Sequence, residues 1–166
     1  MALRSSAKGW LGKVLRVGRI VQRAGPTPEP VMKPPADVRG SLQIRHVDAG
    51  SCNGCEVEIS GAFGPVYDAE QFGARLVASP RHADALLVTG VVTRNMADPL
   101  RNTVAATPRP RVVIACGDCA VNRGVLADAY GVVGAVSEVV HVDVEIPGCP
   151  PTPADIVTAL RSVTGK

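Results

Sequence analysis

Aromatic side chains are nearly missing from this sequence: one Trp, two Tyr and two Phe make up 3% of 166 residues, although 46% are apolar. A core must then be built from Val, Ala, Leu and Ile, which suits buried strands covered by helices. The same scarcity removes the stacking platforms that single-stranded nucleic acid uses. No basic face of a folded domain stands out either, so nucleic acid is set aside as a partner. Also missing is any apolar run long enough to cross a bilayer, and the chain is not expected to span one by itself. There is no apolar signal segment and the cysteine count, five, is odd. Both facts argue for a reducing compartment, where clustered cysteines bind metal or do redox work.

Acid is missing from residues 1–24, which carry Arg4, Lys8, Lys13, Arg16, Arg19 and Arg23. Subtracting these six from the net charge of +3 leaves −3 for the remainder. Leu3, Ala7, Trp10, Val14, Val17 and Val21 recur at steps of four and three, the spacing of one helical face. A basic amphipathic helix is expected over 1–24, with a docking role favoured over a frayed tail. Five prolines between residues 25 and 35 mark an extended linker, taken as 25–39. One globular domain, 40–166, follows.

Within that domain, short runs rich in β-branched residues alternate with turn signals and helix-compatible stretches, the rhythm of βαβ units. Strands are predicted at 42–47, 74–78, 85–91, 111–115 and 139–144, and helices at 96–106 and 153–163. Thr152 and Pro153 supply a cap and a first helical residue for the last helix.

The cysteines fall after three of these strands, in Cys52-Asn53-Gly54-Cys55, in Cys116-Gly117-Asp118-Cys119 and in Pro147-Gly148-Cys149-Pro150-Pro151. Ligand sites in open parallel sheets collect outside the carboxyl ends of the strands, so the three loops can meet at one point. A cubane iron–sulfur cluster needs four thiolates and backbone able to bend closely round it, which Gly54, Gly117 and Gly148 permit. The rival is zinc held by the pairs 52/55 and 116/119. Zinc ribbons separate their pairs by about 15–20 residues, whereas Cys55 and Cys116 stand 61 positions apart. The residues favour a cluster over zinc. A thioredoxin-like dithiol would leave three further thiols without use, and His46, His82 and His141 form no pattern that points to nucleophilic catalysis.

Four segments carry a resemblance: Ser51-Cys52-Asn53-Gly54-Cys55-Glu56-Val57-Glu58-Ile59, Ser79-Pro80-Arg81-His82-Ala83-Asp84 with Leu87-Val88-Thr89-Gly90, Gly117-Asp118-Cys119-Ala120, and residues 144–153 with their Pro-Gly-Cys-Pro-Pro core. In order and spacing they resemble the 20 kDa-type iron–sulfur subunit family of respiratory NADH:quinone oxidoreductase and energy-converting [NiFe] hydrogenases, over about residues 40–163. The Cys-Asn-Gly-Cys spacing resembles the hydrogenase branch, close to the small subunit of formate hydrogenlyase and hydrogenase-4-type complexes, since the quinone-reducing branch has adjacent cysteines there.

The resemblance implies a flavodoxin-like, open, mostly parallel α/β sheet with helices on both faces. It also implies one [4Fe–4S] cluster held by Cys52, Cys55, Cys119 and Cys149, with Cys116 spare. On this reading the chain is a non-catalytic electron-transfer subunit of an oxidoreductase complex on the cytoplasmic side of the cell membrane. Its partners are a hydrogenase-like large subunit, a ferredoxin-like iron–sulfur subunit and membrane-arm subunits reached through residues 1–24. Glu58 sits where the family commonly has an acid and could move protons, while Arg81 and Arg94 could balance cluster charge or contact the large subunit. Arg123 departs from the glycine common there in relatives and puts the local loop conformation in question. A quinone-reductase subunit and a zinc-stabilised, non-redox interaction module are the alternatives.

Overall fold

The computed structural model describes residues 38–166; the helix expected over 1–24 and residues 25–37 of the linker lie outside the described residues. The strands are Leu42–Asp48 (β1), Ala74–Leu76 (β2), Ala85–Thr89 (β3), Val92–Thr93 (β4), Val112–Cys116 (β5), Val132–Gly134 (β6) and Val144–Ile146 (β7). The helices are Gly54–Ala62 (α1), Ala97–Ala106 (α2), Asp118–Asn122 (α3) and Pro153–Thr164 (α4). Five strands form one sheet in the order β2-β1-β3-β5-β7, and every neighbouring pair in it is parallel. Counted along the chain, this is the 2-1-3-4-5 order of flavodoxin-like folds, with the topological switch between β1 and β3. The remaining two, β4 and β6, form a small antiparallel pair.

Every residue of β3 and β5 is buried, as continuous aliphatic runs in a doubly covered sheet require. The period of two along each strand divides the core into two layers. Leu42, Ile44, Leu87, Ile114 and Cys116 pack with Ile59 of α1 and Ile156, Leu160 and Val163 of α4. Val47, Leu86, Val88, Val113 and Ala115 pack with Ala97 and Leu100 of α2 and Ala120 of α3. Helices therefore cover both faces, as the α/β reading expects. At the start of α4, Thr152 Oγ1 accepts from the Asp155 N–H at 3.3 Å, and Asp155 Oδ2 accepts from the Thr152 N–H at 3.1 Å. With Pro153 following, this is a reciprocal capping box.

Helices α1 and α3 and the short strands β4 and β6 go beyond the sequence-based expectation, and one expected strand is displaced. The strand anticipated at 139–144 is instead Val144–Ile146, because residues 136–140 curl into a tight turn in which Val139 and Val140 both donate to Val136 O. Asp143 then starts the pairing with β5: its N–H donates to Val113 O, and its Oδ2 accepts from Val113 N, both at 2.8 Å. The shift ends β7 directly before Pro147-Gly148-Cys149. Helix α1 was not anticipated, since Gly54 and Gly61 dilute its helical pattern.

These layers predict unequal costs. Leu87→Ala empties a fully buried position and is expected to lower stability by about 3 kcal/mol, whereas Thr152→Ala, which removes a cap, costs about 1 kcal/mol. Urea unfolding of both variants checks the ratio; equal losses would contradict the packing described.

Candidate metal centre

Each cysteine loop leaves the sheet at the carboxyl end of a strand: 49–53 after β1, Gly117 after β5, and 147–151 after β7. One small cavity there is lined by Cys52, Cys55, Cys119 and Cys149, together with Gly54, Gly90, Gly148 and Pro150. Cys55 lies in the first turn of α1 and Cys119 in that of α3, so both project from helix starts. Cys52 and Cys149 are exposed, Cys119 is half-buried, and Cys55 and Cys116 are buried. Cys52, Cys55, Cys119 and Cys149, brought from three separate loops, all face this one cavity.

Backbone contacts weld two of the loops. Gly117 N–H donates to Ile146 O at 2.8 Å and Asp118 N–H to Gly148 O at 2.8 Å. Asp118 Oδ1 accepts from the Gly148 N–H at 2.7 Å in return. At Gly117, with φ +90°, a Cβ would stand 2.5 Å from Cys55 Sγ. Only glycine allows that approach.

Electrostatics separate the two adjacent thiols on the strand side. The Cys116 side chain hydrogen-bonds Cys55 and lowers the Cys55 pKa, while the same bond, with burial, pushes Cys116 well above the ordinary thiol range. Cys55 thus faces the cavity, while Cys116 is its fully buried neighbour. The Cys119 pKa is raised by burial and then by the sulfurs of Cys149, Cys52 and Cys55. Thiols gathered this closely resist losing their protons together, a cost that a cationic metal centre among them would offset. The four-cysteine donor set and the glycine cradle together fit a metal–sulfur group.

Glu58, Arg81 and Arg94 do not line the cavity. Glu58 is half-buried on α1, and Arg81 is exposed in the turn Pro80–His82, at the amino-terminal end of β3 and so away from the cysteines. Arg94 is exposed and donates its N–H to Gly131 O.

The engaged acid is Glu56. Its Oε2 accepts from Ser51 Oγ at 2.6 Å, its Oε1 accepts from Thr89 Oγ1, and His46 Nε2 lies 2.9 Å from Thr89 Oγ1. Burial lowers the His46 pKa, with Glu56 and Asp48 opposing. The sequence reading gave Glu56 and Thr89 no role and set His46 aside, because the contacts that join them span 33 and 43 positions.

Arg123 occupies the left-handed region at φ 71°, the conformation the usual glycine would take. Its guanidinium forms a two-pronged pair with Glu138, including Nε to Oε1 at 2.7 Å, and this fixes the chain just after Cys119.

The fold and site define an α/β protein that gathers four cysteines at the carboxyl ends of its parallel strands. Residues 52–163 match the model of the family described as NADH ubiquinone oxidoreductase, 20 Kd subunit, and the chain belongs to that family. It is 48% identical to formate hydrogenlyase subunit 7 of Escherichia coli over 117 residues, 70% of this chain and 46% of that relative, so it spans about half of the relative's length. It is 46% identical to the probable membrane-bound hydrogenase subunit mbhJ of Pyrococcus furiosus over 114 residues, 69% of this chain and 68% of that relative. Among solved structures, a chain of the membrane-bound sulfane sulfur reductase, an archaeal respiratory membrane complex, superposes with a TM-score of 0.68 at 32% identity, covering 78% of this chain and 71% of that one. A chain of an NAD+-reducing [NiFe]-hydrogenase shares the fold, with a TM-score of 0.55 at 22% identity over 69% of this chain and 85% of that one.

Two predictions follow from the geometry. Gly117→Ala forces a methyl group onto Cys55 Sγ and should lower both thermal stability and bound iron; a variant with wild-type iron content would contradict the cradle. Arg123 holds the Glu138 carboxyl at about 2, below its ordinary 4.5. A depressed carboxyl contributes stability above its unfolded value that is lost as pH falls through the folded one. The melting-temperature difference between the wild type and Glu138→Gln should therefore shrink as pH drops from 4.5 to about 2.

Proposed function

We propose that Cys52, Cys55, Cys119 and Cys149 hold one [4Fe–4S] cluster and that the chain carries electrons within a hydrogenase-type complex at the cytoplasmic face of the membrane. The observation that carries this reading is a single cavity lined by four cysteines from three separate loops. Four cysteines from three separate loops suit a cube with one thiolate per iron. The cluster, when bound, supplies one-electron redox chemistry. The chain's own residues orient four sulfurs and set the hydrogen bonds and charge that govern potential.

Formate hydrogenlyase and membrane-bound hydrogenase relatives support a role in such an assembly. A hydrogenase-like large subunit, a ferredoxin-like subunit and a membrane arm reached through residues 1–24 are the proposed partners. Among the described residues no helix is long and apolar enough to cross a membrane.

Anaerobically purified chain should be brown, absorb broadly near about 400 nm, and contain about four irons and four sulfides. Cys119→Ser or Cys149→Ser should abolish or convert the cluster, while Cys116→Ala should leave it. Colourless protein with one zinc would overturn the reading, and loss of the cluster in Cys116→Ala with retention in Cys119→Ser would overturn the ligand assignment.

A further inference from the structure

We propose that Glu56 is a positioning residue that fixes the Cys52–Cys55 loop and places a fixed negative charge beside the metal centre. The inference rests on the cluster reading above and goes beyond the ligands to what holds them. Its basis is the direction of five hydrogen bonds. A hydroxyl has one hydrogen to give. Thr89 Oγ1 gives its hydrogen to Glu56 Oε1, so at the 2.9 Å contact with His46 Nε2 the threonine oxygen must accept and the imidazole must donate. Ser51 Oγ gives its hydrogen to Glu56 Oε2 at 2.6 Å and accepts from the Asn53 N–H at 3.0 Å. Two donor chains, His46 to Thr89 and Asn53 to Ser51, thus converge on the two oxygens of one carboxylate, whose side chain is 18% exposed. The fifth bond extends the frame: Asp48 Oδ1 accepts from the Ser51 N–H at 2.8 Å.

The consequence is mechanical and electrostatic. Ser51 and Asn53 flank Cys52, and Glu56 follows Cys55 directly, so a single side chain braces both cysteines. Thr89 is fully buried at the end of β3, and His46 belongs to β1, so the brace anchors the loop to both strands of the topological switch. Gly90 lets the loop lie against β3: a Cβ there would stand 2.3 Å from Ser51 N. Cys52 is exposed and has no packing of its own to hold it. A negative charge next to a ligating thiolate disfavours electron gain and lowers the reduction potential.

The test uses the full-length chain carrying its cluster, with redox titration followed by electron paramagnetic resonance and iron release to a chelator as readouts. Glu56→Gln keeps the shape and removes the charge, so its midpoint potential should move in the positive direction, while Glu70→Gln, an exposed charge change far from the site, should not move it. Glu56→Ala and Thr89→Val should release iron on the order of fivefold faster, the effect of losing one ordinary hydrogen bond, and Thr89→Ser should restore the wild-type rate. Thr89→Val also decides the mechanical half if the Glu56 variants fail to fold. A Glu56→Gln potential equal to the wild type would overturn the charge assignment, and wild-type iron release from Thr89→Val would overturn the brace. A wild-type chain that binds no cluster would instead overturn the electron-transfer reading itself, and this inference with it.

Discussion

Parallel strand pairing is the constraint on which everything else depends. Because β1, β3, β5 and β7 run in one direction and in fixed register, their carboxyl ends lie side by side. Segments as distant as Cys52 and Cys149 are brought to one cavity by this alone. The row Asp48, Thr89, Cys116 and Ile146 across β1, β3, β5 and β7 puts the exits of the three cysteine loops at one level. An antiparallel arrangement of the same strands would scatter the cysteines to both ends of the sheet.

Close approach then does what register cannot. Gly117 lets Cys55 come down on the backbone, and the Asp118–Gly148 clamp joins the Cys119 and Cys149 loops. The Cys52–Cys55 loop is tied at its start by main-chain bonds, Ala49 N–H to Thr89 O and Thr93 N–H to Ala49 O, and from Ser51 onward it is held through side chains that meet at Glu56. The stretch that carries Cys52 and Cys55 thus depends on hydroxyls and a carboxylate. Variation at Ser51, Glu56 or Thr89 would adjust that stretch while leaving the Asp118–Gly148 clamp alone.

Much of this was legible in the residues. The all-aliphatic runs of β3 and β5 announced a doubly covered sheet, the Thr152-Pro153 pair announced the start of α4, and the spacing of the cysteines after strands announced their meeting. What escaped was tertiary. The last strand slid to Val144–Ile146 because Asp143 spends its side chain on Val113 N, a contact across 30 positions. Helix α1 escaped because glycines hid its pattern. Glu56 escaped because its significance comes from Thr89, 33 positions away, while Glu58, the acid marked by family position, lies off the cavity. The pairing of Cys55 with Cys116 across 61 positions could not be read from spacing either, yet it is what separates the cavity cysteine from its buried neighbour.

Four cysteine side chains from three loops meeting at one cavity are the physical core of the functional reading. Iron-edge anomalous diffraction from anaerobically grown crystals of the chain tests it most directly. The account predicts four resolved iron peaks inside the cavity, each nearest a different one of the sulfurs of Cys52, Cys55, Cys119 and Cys149, with Cys116 Sγ bound to none. A single peak of any metal equidistant from the sulfurs, or an iron bound to Cys116, would contradict it.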